Sequence, residues 1–498
     1  MHEKLNKLYY DFLKLARNEF RALVETAKTD NRIHLVSTKT IAMNDAVEKA
    51  EQQKPFEELV SITRQEFCDD YHGKSECAWR ESVKNYFRRS GEYLALSEAE
   101  NESSENEFDR YIEAFKRQTI EITYIAPLEF VRFSERQMDF GEFQICQMSA
   151  NEISNLVGNQ VNNIFYKRAS VDVSKLSYYW FIKAKETIPT PKIGFISLKH
   201  FQDFWSVTRH FTEYPIRIEQ ILQKLVLAKW QPNYLGGKIS SDGVEKPGLD
   251  NLGWQGFKIL FVLDISDNLL TSPKISPDLS RLDMFPILSE DGEEIGEEPL
   301  TLISLDQKET ESFEKFANRT VHLMNGISPI DTKWEFINIA LGYLVKAFCA
   351  SGMEQLLWHI TTIEALLGEN VNKLTETLAR RLSSILGKTA NERKRIKENF
   401  KELYKFRCDL IHGNKLKREI FHGHLHRARE FARKCAFWFI NYLNEIACTH
   451  RKNYSIKKLP TRKELLTILD IDSPNREQMR NILAALPDGF PHINRWLD

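Results

Sequence analysis

The spacing of apolar residues changes twice along this chain, and that change constrains the fold more than any other feature. Over 3–27, Leu5, Leu8, Tyr9, Phe12, Ala16, Phe20, Leu23 and Val24 recur at helical spacing, which predicts an amphipathic helix. Further helical pieces fit 54–68 and 77–97. From about 119 the pattern becomes short β-branched and aromatic runs, TIEITYI, LEFVRF, FQICQM, YYWFI and FKILFVLDI, which predict strands. From Asp331 to Ala447 the chain turns almost wholly helical, in segments 332–351, 353–368, 371–387, 391–412 and 425–447. Short connections between helices of that length predict antiparallel neighbours in a bundle.

At 498 residues the chain needs more than one core. The expectation is an α+β multidomain protein. It has a helical amino-terminal region over 1–115, a β-rich or mixed regulatory or sensor domain over 116–330, a helical bundle over 331–448 and a small helical appendix over 449–498. The Ser-rich acidic stretch SEAENESSENEFD (97–109) reads as an exposed loop at the first boundary. EDGEEIGEE (290–298) reads as a solvated acidic turn, and its carboxylates repel rather than cradle phosphate.

The amino terminus is charged, with no h-region of a secretory signal. No apolar run reaches the roughly 20 residues that span a bilayer. Seven thinly scattered cysteines suit a reducing compartment, so a cytoplasmic location with no membrane partner is expected. Cys68, His72 and Cys77 cluster in sequence, but they fall short of the four ligands zinc normally takes. They read as loop or core residues, and no metal or other cofactor is expected. His422, His424 and His426 likewise read as exposed connector residues rather than metal ligands.

Lys+Arg 69 against Asp+Glu 70 gives a net charge of -1, which argues against promiscuous coating of nucleic acid. The charge is unevenly placed, however. Between Leu378 and Lys434 there are 17 Lys/Arg against 6 Asp/Glu, a local excess of +11 that leaves -12 for the remainder. The densest part, 392–405, presents Arg393, Lys394, Arg395, Lys401 and Lys405, with Lys415 just beyond. These are candidate phosphate contacts for an RNA; the alternative is a solvated helix face.

The helix expected over 396–412 carries an apolar stripe of Phe400, Leu403, Tyr404, Leu410 and Ile411, with Arg407 in its middle. A guanidinium on a core-facing stripe needs acceptors. His412 follows at the last turn, just before Gly413, a residue suited to a left-handed cap. At about 100° per residue, side chains five apart lie roughly 140° apart in azimuth. One straight helix therefore does not aim both at one small target. Either the arginine wraps, or the helix end distorts, or a second copy supplies the complementary pair across a two-fold interface.

TTIEALLG, LARRLSSILG and above all YKFRCDLIHG resemble HEPN domains of the ApeA-like kind, over about 331–448. The hallmark of that family is an arginine, four to six residues, then a histidine near the end of a bundle helix. The resemblance implies a metal-independent endoribonuclease acting as a homodimer, with Arg407 and His412 as catalytic residues. It further implies a role in anti-phage defence by abortive infection, as a toxin restrained by its amino-terminal region until a phage-derived trigger acts. Transfer RNA is one candidate substrate. Cys408 stands where the family often has a polar residue, with Asp409 one place later as a supporting candidate. Glu364 falls where a helix acid is common in the relatives, which makes it a candidate to orient Arg407.

Such chemistry suits these residue types. The RNA 2′-hydroxyl is itself the nucleophile, so the protein supplies a base, an acid and a cation beside the phosphorane. Histidine serves as acid or base near neutrality, and arginine binds two phosphate oxygens at once. A second Arg–His spacing, Arg418 to His424, lacks the preceding amphipathic helix, so 407 and 412 are preferred. The competing expectation is a non-catalytic HEPN module that binds RNA or nucleotide.

Overall fold

In this computed structural model the described residues are 1–29, 45–67, 76–89, 104–157, 173–190, 212–227, 258–271, 273–276, 284–288, 291–292, 294–299, 301–327, 334–350, 352–370, 372–413, 422–452 and 461–470. In chain order the elements are α1 (His2–Thr29), α2 (Lys54–Phe67), α3 (Glu76–Arg89), α4 (Ser104–Lys116), β1 (Thr119–Arg132), β2 (Gln137–Asp139), β3 (Phe143–Gln147), α5 (Ala150–Val157), α6 (Val173–Leu176), β4 (Trp180–Pro189), α7 (Ile216–Leu225), β5 (Lys258–Ile259), β6 (Val262–Ser266), β7 (Lys274–Ser276), β8 (Met284–Leu288), β9 (Glu294–Pro299), β10 (Thr301–Ser304), α8 (Gln307–Ile327), α9 (Glu335–Cys349), α10 (Gly352–Leu367), α11 (Leu374–Leu386), α12 (Ala390–Ile411), α13 (His422–Lys452) and α14 (Arg462–Asp470). The protein is mixed α+β with an antiparallel sheet. No helix among the described residues is long and apolar enough to cross a membrane.

The chain divides into two compact units rather than serial domains. One comprises Met1–Glu129, Gly141–His210 and Ile259–Leu300, the other Phe130–Phe140, Phe211–Lys258 and Thr301–Asp498.

In the first unit, α1 to α4 bury Leu5, Tyr9, Phe12, Phe56, Leu59, Trp79, Tyr86, Phe87, Phe108 and Tyr111 in one aromatic-rich cluster. Helix α4 corrects the loop expected over 97–109: from Ser104 onward that stretch is helical, and Phe108 is buried. The charged residues before it obscured a helical period that begins at Phe108. Strand β1 pairs with β4 from Thr119↔Pro189 to Leu128↔Trp180, and with β6 from Ile122↔Ser266 to Ile125↔Leu263. Pro127 divides β1 into two apolar runs in the sequence, yet the strand continues through it, and the Pro127 carbonyl accepts Leu260 N–H at 3.1 Å. Arg89 joins the helices to the sheet by donating to the carbonyls of Ser266, Asn268 and Thr271. The acidic stretch 290–298 is only partly a turn; from Glu294 it is strand β9, paired antiparallel with β8.

The second unit is largely helical. Its α8 lies in the span expected to be β-rich or mixed, yet it packs on α13, with Phe316 stacked on Phe437 at 5.3 Å. Helices α9 and α10 form a hairpin, α10 packs on α13, and α11 packs on α12. The core takes Ile337, Leu341, Leu344, Leu356, Ile360, Ile363, Leu367, Phe400, Leu403, Trp438 and Phe439. Helix α12 opens with a capping box: Thr389 accepts from Glu392 N–H, and Glu392 accepts from Thr389 N–H. Helix α13 runs on to Lys452, across the boundary expected at 448. Helix α14 lies in the second unit, where Asp470 binds Arg380 and Arg381 on α11.

Candidate functional site

Tyr404 and Arg407 sit one turn apart on α12, so both side chains face the same neighbour, α10. There they meet Glu364. The Tyr404 hydroxyl donates to Glu364 Oε1 at 2.7 Å, and Arg407 Nη2 donates to Glu364 Oε2 at 3.2 Å. The Arg407 guanidinium also lies 5.5 Å from the centre of the Tyr404 ring, within cation–π range. Burial, followed by the bond to Glu364, holds the Tyr404 phenol well above its ordinary pKa. It therefore stays protonated and serves as a donor.

The resemblance gives Glu364 the task of orienting Arg407, and the two are paired. Tyr404 is a member of the site that the Arg–His hallmark leaves out; its signal in the sequence is its position three residues before the arginine. Arg407 is half-buried, with Nη2 bonded and Nε sealed from solvent without an acceptor among the described residues. Its Nη1 has no partner among the described residues either, which leaves donor capacity for a bound oxyanion.

His412 is the C-cap of α12, with φ -86 and ψ 6, and its N–H bonds to Cys408 O. Gly413 follows at φ +65, the left-handed conformation that ends the helix at low steric cost. The His412 side chain is exposed and has no hydrogen-bond partner among the described residues. Five residues of helix place it about 7.5 Å along the axis from Arg407. The two side chains are not bonded to each other: Arg407 turns inward and His412 faces solvent. Asp409 is half-buried on the same helix. The apolar stripe stops short of its expected end. Ile411 is 52% exposed, since no described neighbour covers the last turn, while Phe406 is buried instead. His422, His424 and His426 are not an exposed connector, since all three lie in the first turns of α13; in the competing Arg–His pair, His424 is buried edge-on against Phe406 at 4.9 Å and lies 3.9 Å from Glu402. Arg418 lies outside the described residues.

The basic segment is less available to a polyanion than its charge count suggests. Arg381 is buried and bound to Leu367 O, Glu369 and Asp470. Arg429, Arg433 and Lys434 are buried on α13, where Arg433 and Lys434 pair with Glu430 and Arg429 donates to Gln355. Arg393 folds back onto the carbonyls of Gly387 and Lys388, and Lys401 pairs with Glu376 at 2.5 Å. Arg395 is half-buried. Lys394 and Lys405 remain exposed and have no partner among the described residues. Lys415 lies outside the described residues, as do Cys68 and His72; Cys77 is an exposed thiol at the start of α3. No metal-holding cluster occurs among the described residues.

The chain matches no family model, no curated protein and no solved structure.

Proposed function

We propose that this chain is a metal-independent endoribonuclease of HEPN type that cleaves RNA by attack of its 2′-hydroxyl. The observation that carries the reading is the Tyr404–Glu364–Arg407 cluster, with an exposed His412 on the same helix. Arg407 is oriented by Glu364 and keeps Nη1 for the phosphorane, where charge accumulates in the transition state. His412 transfers a proton. One histidine supplies either the base or the acid, and His412 of a second copy supplies the other, which makes the working enzyme a homodimer. Cleavage leaves a 2′,3′-cyclic phosphate and a 5′-hydroxyl. By resemblance, the biological setting is a cytoplasmic toxin in anti-phage defence, restrained by the amino-terminal region until a phage-derived trigger releases it.

The test incubates purified full-length protein with total RNA in EDTA and analyses the end groups. Cleavage with cyclic-phosphate ends, lowered about 10²–10³-fold in Arg407→Ala and His412→Ala, is the expected result. Intact RNA with every protein, or equal cleavage by all three, overturns the reading. One observation favours a second reading, a non-catalytic module that binds RNA or nucleotide: Arg407 is already engaged by Glu364. Under that reading RNA is retained with steep salt dependence but left uncut.

A further inference from the structure

We infer that Arg462, the first residue of α14, is a positioning residue that acts on Arg407 through the carbonyl end of α10. The inference rests on the endoribonuclease reading. The last carbonyls of a helix lack intrahelical donors, and at the end of α10 two guanidiniums satisfy those of Leu367 and Gly368, while Glu364 O, which already accepts Gly368 N–H at 2.7 Å, takes a guanidinium contact as well. Arg462 Nη2 donates to Glu364 O at 3.3 Å and to Gly368 O at 2.5 Å. Arg381 Nη1 donates to Leu367 O at 2.7 Å. Both depend on α14. Arg462 belongs to it, and Arg381 is gripped by Asp470 at its far end, at 3.0 and 2.6 Å. Cationic groups at a helix C-terminus are also favoured by the helix dipole.

Arg462 is fixed in turn, with its guanidinium 5.7 Å from the centre of the Phe336 ring. The turn it binds is closed by the bond from Gly368 N–H to Glu364 O at 2.7 Å, so the carbonyls of Glu364 and Gly368 are held together. Glu364 is thus held at its backbone by α14, while its carboxylate holds Tyr404 and Arg407. A carboxylate that must meet a phenol at 2.7 Å and a guanidinium at 3.2 Å tolerates little displacement. Releasing α14 frees that carboxylate, and Arg407 loses its aim without losing any group that touches RNA.

The test compares full-length wild type, Arg462→Ala, Arg462→Lys and Asp470→Asn on total RNA, with kcat and KM separated, together with crystal structures of wild type and Arg462→Ala. The expected result is a kcat lowered about 10-fold in Arg462→Ala with KM within about 2-fold. Partial recovery in Arg462→Lys, an intermediate Asp470→Asn and an Arg407–Glu364 pair separated beyond hydrogen-bond range complete that result. Cleavage with kcat unchanged overturns the inference. Absence of cleavage by wild type overturns the endoribonuclease reading instead, and the crystal structures then decide: an Arg407–Glu364 pair undisturbed in Arg462→Ala overturns the positioning role. Should Arg462→Ala not fold, the kcat values of Arg462→Lys and Asp470→Asn take its place: a lowered kcat in both supports the positioning role, and an unchanged kcat in both overturns it.

Discussion

Arg407 and Glu364 form a half-buried ion pair at 3.2 Å, and the second oxygen of the carboxylate is already occupied by Tyr404. The arginine is therefore fixed in azimuth by a neighbouring helix, while His412, five residues on, points to solvent at the end of α12.

Glu364→Gln keeps the shape of the side chain and removes its charge. The charge-assisted bond to Arg407 is worth about 1.5–3 kcal/mol when shielded, and partial exposure reduces that. RNA cleavage should fall about 10-fold with little change in KM. A variant as active as wild type would show that Glu364 does not position the arginine.

Tyr404→Phe deletes a single hydroxyl and leaves the ring under Arg407. Urea unfolding of the second unit should show a loss of about 1 kcal/mol, with cleavage reduced less than in Glu364→Gln. A larger loss of activity than in Glu364→Gln would assign the phenol a direct part in the chemistry.

Acid should destabilise the fold through buried histidines. Burial lowers the pKa of His426 to about 4 and that of His359 well below its ordinary value. Around His426, Glu430 pulls the pKa up, while Arg429, Arg433 and Lys434 push it down. In the unfolded chain both histidines titrate near pH 6.5. The unfolded state therefore binds more protons below that value, and stability is complete above about pH 6.5 and is lost as pH falls toward 4. Urea midpoints measured from pH 7.5 to 5 should decline, with up to about 2 kcal/mol from His426 by pH 5, and His426→Gln should flatten the slope. A flat profile in wild type would refute this.

Phosphate contact should depend on the lysines left exposed. Lys394→Ala and Lys405→Ala should each weaken RNA binding and lower the salt slope by about 1. Lys401→Ala, whose lysine is engaged with Glu376, should change it less. Filter binding across a salt series checks the order of effects.

Much of α12 was legible in the sequence. Its expected span of 391–412 is close to the observed Ala390–Ile411, because a capping threonine, a helical period and a following glycine are all local signals. The charge count around it was misleading. Period and composition do not separate a guanidinium that faces solvent from one, such as Arg381 or Arg433, that is buried against acceptors from other elements.

The sequence by itself marked many of the helices and strands, though not α4, α8 or β9, and it placed Tyr404 and Arg407 on one face through their spacing. Only the tertiary structure decided what that face meets. Glu364 lies 43 residues from Arg407, and Arg462 lies 98 residues from Glu364. The entropy of closing such loops rises only slowly with length, so separation along the chain says almost nothing about which groups come together. That is set by the packing of α10, α12 and α14 against a common core, where a half-buried carboxylate and the bare carbonyls of a helix end find their donors.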